Sequence, residues 1–164
     1  PQLPEYPHAS RIGAYSASEN EIDPQTIIAD CWLAGKKAYL PVMSESKQYH
    51  IDFYAYNKGQ KLKSNPYGIT EPETSGDKIE PWKLDLVLLP LVAFDQFCNR
   101  IGRGAGFYDR CFAFANELPN SNRPILVGLA YSDQLIDTIP SQPWDVAMDY
   151  IITEHGITKK PPAN

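Results

Sequence analysis

Five residues near the middle of the chain alternate glycine with other residues, in the order Gly102-Arg103-Gly104-Ala105-Gly106. The run follows an apolar segment and precedes a segment with helical spacing, so backbone N–H groups and a helix N-terminus can converge on an anion there. Glycine permits the close approach of backbone to ligand that such a site requires. The spacing alone predicts a phosphate-binding loop or a plain glycine turn, and it does not favour either.

Charged side chains beside the glycines favour the phosphate-binding interpretation. Arg103 can form a two-pronged contact with a phosphate, and Asp109 can hold a magnesium ion beside the same phosphate. Arg100 and Arg110 add two cations within the same stretch. The alternatives are a solvated basic turn and, for Asp109, a carboxylate that stabilises the first turn of a helix.

Familiar nucleotide-binding motifs are absent from this region of the sequence. The glycine spacing is not GxGxxG, and the run lacks the GK[ST] ending of a P-loop. A dinucleotide-binding oxidoreductase is therefore a weaker alternative, also because the second predicted strand does not end near a suitable acidic residue.

The elements that would position the loop alternate between strands and helices. We predict strands over residues 11–15, 37–42, 49–56, 84–89, 124–130 and 150–152, the last closing the sheet, and helices over 24–34 and 108–118, with a short helix capped by Ser132 or Asp133. Residues 84–89 are the most apolar run and should form a central strand. The alternation predicts one α/β domain over residues 1–164, with an open, mainly parallel sheet flanked by helices and ligands beyond the carboxyl ends of its strands.

Composition excludes several classes of function. The 164 residues carry a formal net charge of −5, which gives no basic field for nucleic acid or an anionic membrane surface. We find neither a run of about 20 apolar residues nor a basic-then-apolar signal segment. Cys31, Cys98 and Cys111 form an odd set without a CxxC pair, which indicates reduced, buried thiols and a cytoplasmic protein.

Longer stretches resemble one enzyme family. Residues 84–110, LDLVLLPLVAFDQFCNRIGRGAGFYDR, closely resemble the signature of 5-formyltetrahydrofolate cyclo-ligases, also called 5,10-methenyltetrahydrofolate synthetases. Agreement continues in the first strand with Glu21-Ile22 and in residues 35–41, 67–72 and 144–154, so that the resemblance spans about residues 10–155. The VAFD segment, the glycine loop and the YDR ending occur together at the family's spacing, which makes the central motif specific.

The resemblance implies a NagB/RpiA/CoA transferase-like fold and a reaction. That reaction is the ATP- and Mg²⁺-dependent conversion of 5-formyltetrahydrofolate to 5,10-methenyltetrahydrofolate, with release of ADP and phosphate. We expect a monomer that acts on this small molecule with or without a polyglutamate tail.

The same resemblance implies roles for individual residues. The ATP site would be lined by Arg100, Ile101, Gly102, Arg103, Gly104, Ala105, Gly106, Phe107 and Tyr108. Arg103 and Tyr108 would be catalytic, with Arg103 stabilising the transferring phosphoryl group. Asp109 and Asp149 would hold magnesium, while Glu21, Tyr15 and Tyr67 would contact the folate, Tyr67 by stacking on the pterin.

Two departures from the family pattern leave a second interpretation open. Ala105 stands where many members carry Lys or Gly. The first ten residues, PQLPEYPHAS, contain three prolines and no Lys or Arg, where the family has a basic helix. We therefore expect that helix to be missing or truncated. The alternative is a folate- or nucleotide-binding module of the same fold with weak or no turnover.

Overall fold

The computed structural model describes residues 3–44 and 48–162. Its strands are β1 Arg11–Gly13, β2 Lys37–Met43, β3 Ile51–Tyr56, β4 Lys63–Ser64, β5 Thr70–Glu71, β6 Lys78–Ile79, β7 Leu86–Pro90, β8 Ala93–Phe94, β9 Arg100–Ile101, β10 Ile125–Leu129, β11 Tyr150–Thr153 and β12 Gly156–Lys159. The α-helices are α1 Gln25–Leu33 and α2 Phe107–Cys111. Single 3₁₀ turns occur at Tyr6–His8, Pro81–Lys83, Ala113–Asn116, Asn120–Asn122 and Ser132–Gln134.

Eight of these strands form one mixed sheet in the order β12-β11-β10-β7-β1-β2-β3-β6. The neighbours from β11 to β2 pair in parallel, whereas β12, β3 and β6 pair antiparallel with their neighbours. The predicted open, mainly parallel sheet is thus confirmed, with β7 near its centre. Because parallel strands share one direction, the carboxyl ends of the five inner strands meet at one edge of the sheet.

The hydrophobic core lies on both faces of the sheet. Along β7, Leu86 and Leu88 pack with Ile28 of α1, whereas Val87 and Leu89 belong to the cluster that contains Phe112. This division follows from the alternation of side chains along a strand. Helix α1 therefore covers one face, and α2 with the following 3₁₀ turn covers the other.

Three predicted elements differ from those observed. The short helix predicted after a cap at Ser132 or Asp133 is a single 3₁₀ turn, Ser132–Gln134, whose cap is Tyr131. The predicted helix over 108–118 is only α2 and a separate 3₁₀ turn, Ala113–Asn116. Four of its eleven residues are aromatic or Asn, and these residue types have weak helix propensity. The prediction that residues 150–152 close the sheet is wrong, because β12 turns back and pairs antiparallel with β11. In the described residues, no helix is long and apolar enough to cross a membrane.

Candidate active site

A cleft of about 1120 Å³ opens beyond the carboxyl ends of β1, β2 and β7. Its walls are formed by Ser16, Ser18, Glu21, Pro41, Tyr67, Gly68, Ile69, Pro90, Leu91, residues 100–110, Ala113, Ile139, Pro140, Trp144 and Asp145. A second groove, of about 740 Å³, lies between β2, β3 and the β4–β5 hairpin and is lined by none of the predicted site residues. The larger cleft is therefore the candidate active site.

The glycine loop joins β9 to α2, and its shape depends on two glycines. Gly106 has a φ of 66°, in the left-handed region that favours glycine, and α2 begins directly after it. A Cβ atom at Gly102 would lie 2.9 Å from Nη1 of Arg100, so a side chain there would require the Arg100 guanidinium to move. The loop therefore folds tightly over Arg100 and exposes its own backbone to the cleft.

Arg100 is buried beneath this loop and pairs with Asp109. Its side chain is only 4% exposed, and its Nη2 donates to Asp109 Oδ1 at 3.0 Å. The same Oδ1 accepts the backbone N–H of Val146 at 3.1 Å. Among the described residues, none donates a hydrogen bond to Asp109 Oδ2, so this oxygen is available to a ligand. The Arg100 side chain therefore holds Asp109 in place and exposes little of its own surface to the cleft.

Arg103 extends across the cleft from the glycine loop to the segment after β1. Its Nη1 donates to Ser18 Oγ at 2.6 Å, and its Nη2 donates to the carbonyl of Glu19. Its Nε lies 3.4 Å from Glu21 Oε1, while Glu21 Oε2 accepts the backbone N–H of Ser18. The residue predicted to meet the phosphoryl group and the residue predicted to meet the folate are therefore neighbours.

Arg110 braces the outer side of the loop. Its Nη1 donates to the carbonyl of Ala105, and its guanidinium lies 4.7 Å from the centre of the Tyr49 ring. Tyr49 also contacts Phe107 edge to face, at 5.7 Å between ring centres. These contacts place a cation beside the backbone carbonyl of Ala105.

A hairpin formed by β4 and β5 carries Tyr67 over the opposite side of the cleft. The Tyr67 side chain is 75% exposed, and Oδ1 of Asn65 accepts the N–H groups of Tyr67 and Ile69. The hairpin is tied to β2 by Glu71, whose Oε1 accepts the N–H of Met43 at 2.8 Å. An exposed aromatic ring is thus held on a fixed turn at the rim of the cleft.

The structure does not bring Asp149 to Asp109, so its predicted role as a magnesium ligand has to be corrected. Asp149 directly precedes β11, at the amino-terminal end of the parallel strands, and it does not line the cleft. Arg123 donates to both of its carboxylate oxygens, at 2.7 and 2.8 Å, and Leu126 N–H donates to Oδ2. Asp149 therefore joins the starts of β10 and β11.

Asp145 is an acidic residue of the cleft that the sequence interpretation did not include. It lines the cleft, and the next residue, Val146, is bonded to Asp109. Its Oδ2 accepts Gln142 N–H at 2.7 Å, and none of the described residues donates to its Oδ1. A signal was present in the sequence, because a residue at the start of a strand cannot lie at the carboxyl edge where ligands bind.

Two predicted tyrosines have different surroundings. Tyr15 is buried, does not line the cleft, and donates its hydroxyl to the carbonyl of Ile22 at 2.5 Å. Its predicted contact with the folate is therefore not supported, because the hydroxyl is used within the core. Tyr108 does line the cleft, where burial raises the pKa of its phenol above the usual value. At neutral pH its phenol is therefore protonated and can donate a hydrogen bond to a ligand.

The donor set of the cleft fits magnesium bound together with a phosphate. Asp109 and Asp145 each use one carboxylate oxygen within the protein and leave the other without a donor from the described residues. The same part of the chain contains no group of three or more His, Cys, Asp or Glu side chains placed to hold a metal. Magnesium commonly binds through one or two carboxylates and completes its shell with water and substrate phosphates.

Comparison with known proteins identifies the family of the chain. The model of the 5-formyltetrahydrofolate cyclo-ligase family matches residues 1–154. The chain belongs to the 5-formyltetrahydrofolate cyclo-ligase family. The resemblance predicted from residues 84–110 is thereby confirmed, and the alternative of a dinucleotide-binding oxidoreductase is overturned.

Individual members of the cyclo-ligase family are similar over most of the chain. The 5-formyltetrahydrofolate cyclo-ligase of Haemophilus influenzae is 36% identical over 147 residues, which cover 89% of this chain and 76% of that protein. The Escherichia coli K12 cyclo-ligase is 33% identical, covering 88% and 78%. The solved structure of Aquifex aeolicus 5,10-methenyltetrahydrofolate synthetase gives a TM-score of 0.78 at 27% identity, covering 99% of this chain and 77% of that one.

Proposed function

We propose that this protein closes 5-formyltetrahydrofolate to 5,10-methenyltetrahydrofolate, using ATP and releasing ADP and phosphate. Membership of the cyclo-ligase family supports the proposal. The structural observation that carries it is the contact between Arg103 and Glu21, at 3.4 Å across the cleft. A cation from the glycine loop and a carboxylate from the other wall lie where two substrates would have to meet.

The triphosphate would lie along the glycine loop. The exposed backbone of residues 102–106 offers N–H groups to phosphate oxygens, and Arg103 can form bidentate hydrogen bonds with the transferring phosphoryl group. Asp109 and Asp145 are the residues that would hold magnesium, through the oxygens that the described residues leave without a donor. When bound, the ion would neutralise phosphate charge.

The folate would occupy the side of the cleft formed by Glu21 and Tyr67. The exposed Tyr67 ring offers a flat apolar face to a pterin, and a carboxylate such as Glu21 can accept hydrogen bonds from pterin N–H groups. Ser16 and Thr70, joined through their hydroxyl oxygens, connect the hairpin to the segment after β1. Both folate-facing residues are thus carried by segments that are attached to each other.

The chemistry requires a better leaving group on the formyl carbon. Transfer of the γ-phosphoryl group to the formyl oxygen breaks the bond to ADP and makes N5 part of an iminium-type phosphate. The N10 lone pair then attacks the carbon, N10 loses its proton to solvent, and the C–O bond breaks as phosphate leaves. Arg103, between the two sides of the cleft, would stabilise the negative charge of the transferring group. Tyr108 would donate a hydrogen bond to a phosphate oxygen.

The product absorbs in the near ultraviolet, which provides a direct test. Incubation of the protein with 5-formyltetrahydrofolate, ATP and magnesium should raise this absorbance, and one ADP should form for each methenyl product. An absence of product with both substrates and magnesium in excess would overturn the proposal. No observation on the described residues favours the alternative of a binding module without turnover. The monomeric state and the acceptance of polyglutamate tails stay predictions.

A further inference from the structure

One large aromatic side chain at the rim of the cleft has no part in the proposed chemistry. The Trp144 indole is 66% exposed and lines the cleft beside Ile139 and Pro140. Leaving so much apolar surface in water is unfavourable, and burying it against a planar ligand would recover that free energy. An exposed aromatic ring inside a cleft is therefore a stronger indication of a bound ligand than a single exposed apolar residue elsewhere on the surface.

The backbone that carries Trp144 is held in a fixed turn. Asp145 N–H donates to the carbonyl of Gln142 at 3.0 Å, which encloses Pro143 and Trp144 at the two central positions. Gln142 N–H returns a bond to Asp145 Oδ2 at 2.7 Å, and Asn116 Nδ2 donates to the Asp145 carbonyl at 3.1 Å. The indole is thus presented from a braced turn and not from a free loop.

The turn lies on the phosphate side of the cleft. Trp144 is next to Asp145, and Val146 N–H is bonded to Asp109 at the start of α2. The other exposed aromatic ring of the cleft, Tyr67, is carried by the β4–β5 hairpin, which is attached to β2. The two exposed aromatic rings are thus carried by separate segments of the cleft wall, Tyr67 by the hairpin attached to β2 and Trp144 by the turn attached to Asp109.

We propose that Trp144 is the stacking platform for the nucleobase of the triphosphate substrate. This inference rests on the proposed function, in which two substrates with planar rings share the cleft and Tyr67 serves the pterin. A triphosphate held by the glycine loop, with its magnesium at Asp109 and Asp145, would extend its base toward the neighbouring indole. Stacking recognises the face of a base and not its edge, so ATP and GTP should bind with similar affinity, and pyrimidine nucleotides more weakly.

The chain offers a matched control for Trp144. Trp82 is also exposed, at 54%, but it does not line the cleft and packs edge to face on Phe114. Its replacement should leave nucleotide binding unchanged. Trp144→Leu removes the aromatic face but keeps an apolar side chain, and Trp144→Phe restores a smaller aromatic face.

Binding of nucleotides and of magnesium tripolyphosphate, which lacks a base, tests the proposal. In the wild type, ATP with magnesium should quench tryptophan fluorescence, and tripolyphosphate should not. Trp144→Leu should abolish the quenching and weaken ATP binding about 10- to 100-fold, with tripolyphosphate binding unchanged and partial recovery in Trp144→Phe. Wild-type ATP affinity in Trp144→Leu, or quenching lost in Trp82→Leu instead, would overturn the proposal.

The same variants separate this inference from the proposed reaction. If Trp144→Leu binds ATP weakly but the wild type makes no methenyl product, the platform stands and the proposed function fails. If the wild type makes product and Trp144→Leu keeps its KM for ATP, the platform fails alone. The KM for 5-formyltetrahydrofolate should not change in Trp144→Leu, because the folate lies on the side of Tyr67.

Discussion

Arg103 and Glu21 approach to 3.4 Å, Nε to Oε1, from opposite walls of the cleft. Ser18 reinforces the contact, since its hydroxyl accepts from Arg103 and its N–H donates to Glu21. The residues proposed for the phosphoryl group and for the pterin thus share one charge interaction. A change at either residue should therefore affect both substrates, and this coupling can be measured.

Replacement of Arg103 should impair turnover much more than folding. We expect Arg103→Ala to lower kcat by about 100- to 1000-fold, the range for loss of a group that stabilises transition-state charge. Its side chain is half exposed, so the ion pair with Glu21 should contribute no more than about 1 kcal/mol to stability. Steady-state kinetics and thermal unfolding check both parts. Arg103→Lys keeps the positive charge but cannot form the bidentate contact, so its kcat should lie between those of the wild type and Arg103→Ala. Unchanged kinetics in Arg103→Ala would refute the assigned role.

Asp109 and Asp145 should determine the magnesium requirement. We expect Asp109→Asn and Asp145→Asn each to raise the magnesium concentration for half-maximal ATP binding by about tenfold or more, because a neutral amide is a poorer ligand for this ion. Magnesium titrations followed by calorimetry would measure the shift. Asp137→Asn, at an exposed position outside the cleft, is the control and should not change it. Wild-type titrations in both cleft variants would remove these two residues from the site.

Asp149 should affect stability instead. Its carboxylate forms a buried, two-pronged pair with Arg123, and both side chains are less than a tenth exposed. Asp149→Ala leaves a buried guanidinium without this partner, so we expect a loss of about 3–5 kcal/mol in the free energy of unfolding. Urea unfolding would measure it. A stable Asp149→Ala protein with a weakened magnesium response would restore the original assignment to the metal site.

Asp95 should contribute to the pH dependence of stability. Burial alone would raise the pKa of this carboxyl, but hydrogen bonds from Asn99, Ile139 and Phe97 outweigh burial and hold the pKa below its usual value. Because the folded-state pKa is depressed, the stabilisation is present above about pH 4 and is lost as pH falls through the folded-state pKa. Between about pH 6 and pH 3, the wild type should lose more unfolding free energy than Asp95→Asn. Equal losses would contradict this account.

The three cysteine thiols should be unreactive in the folded protein. Burial raises the pKa of Cys98 to about 11 and that of Cys111 to about 12, and it also raises the pKa of Cys31. The reactive thiolate is therefore scarce at neutral pH, and access is restricted as well. A chromogenic disulfide reagent should label the native protein slowly and all three thiols quickly in guanidinium chloride. Rapid labelling of any thiol in the native state would contradict the prediction.

Strong hydrophobic patterns made the centre of the fold predictable from sequence. The apolar runs that became β7 and β10, and the helical spacing of α1, gave elements within about two residues of those observed. Strand β12 was missed because its turn, Glu154-His155, has no residue typical of a hairpin turn and its outer residues are polar. The spacing of apolar residues along residues 108–118 could not distinguish α2 from the 3₁₀ turn that follows it.

The sequence predicted the site residues that are consecutive in the chain. It did not predict those whose positions depend on a tertiary contact. The glycine loop and Asp109 belong to one short segment, so their proximity is local. Asp145 and Asp149 lie in one irregular stretch. The place of Asp149 at the start of a strand argues against the carboxyl edge, but only the pairing of Val146 with Asp109 shows that Asp145 reaches the cleft. Likewise, the interior position of Tyr15 depends on its bond to Ile22, which spacing does not reveal.

The two ends of the sheet limit how copies of this chain can associate. On one side the outermost strand is β6, with two residues including Lys78, and on the other it is β12, with four residues including Lys159. Short outer strands offer few unpaired backbone groups to a neighbouring molecule, and a lysine at the edge is costly to bury between two paired strands. Intermolecular extension of the sheet, a common start of aggregation, is therefore disfavoured at both ends.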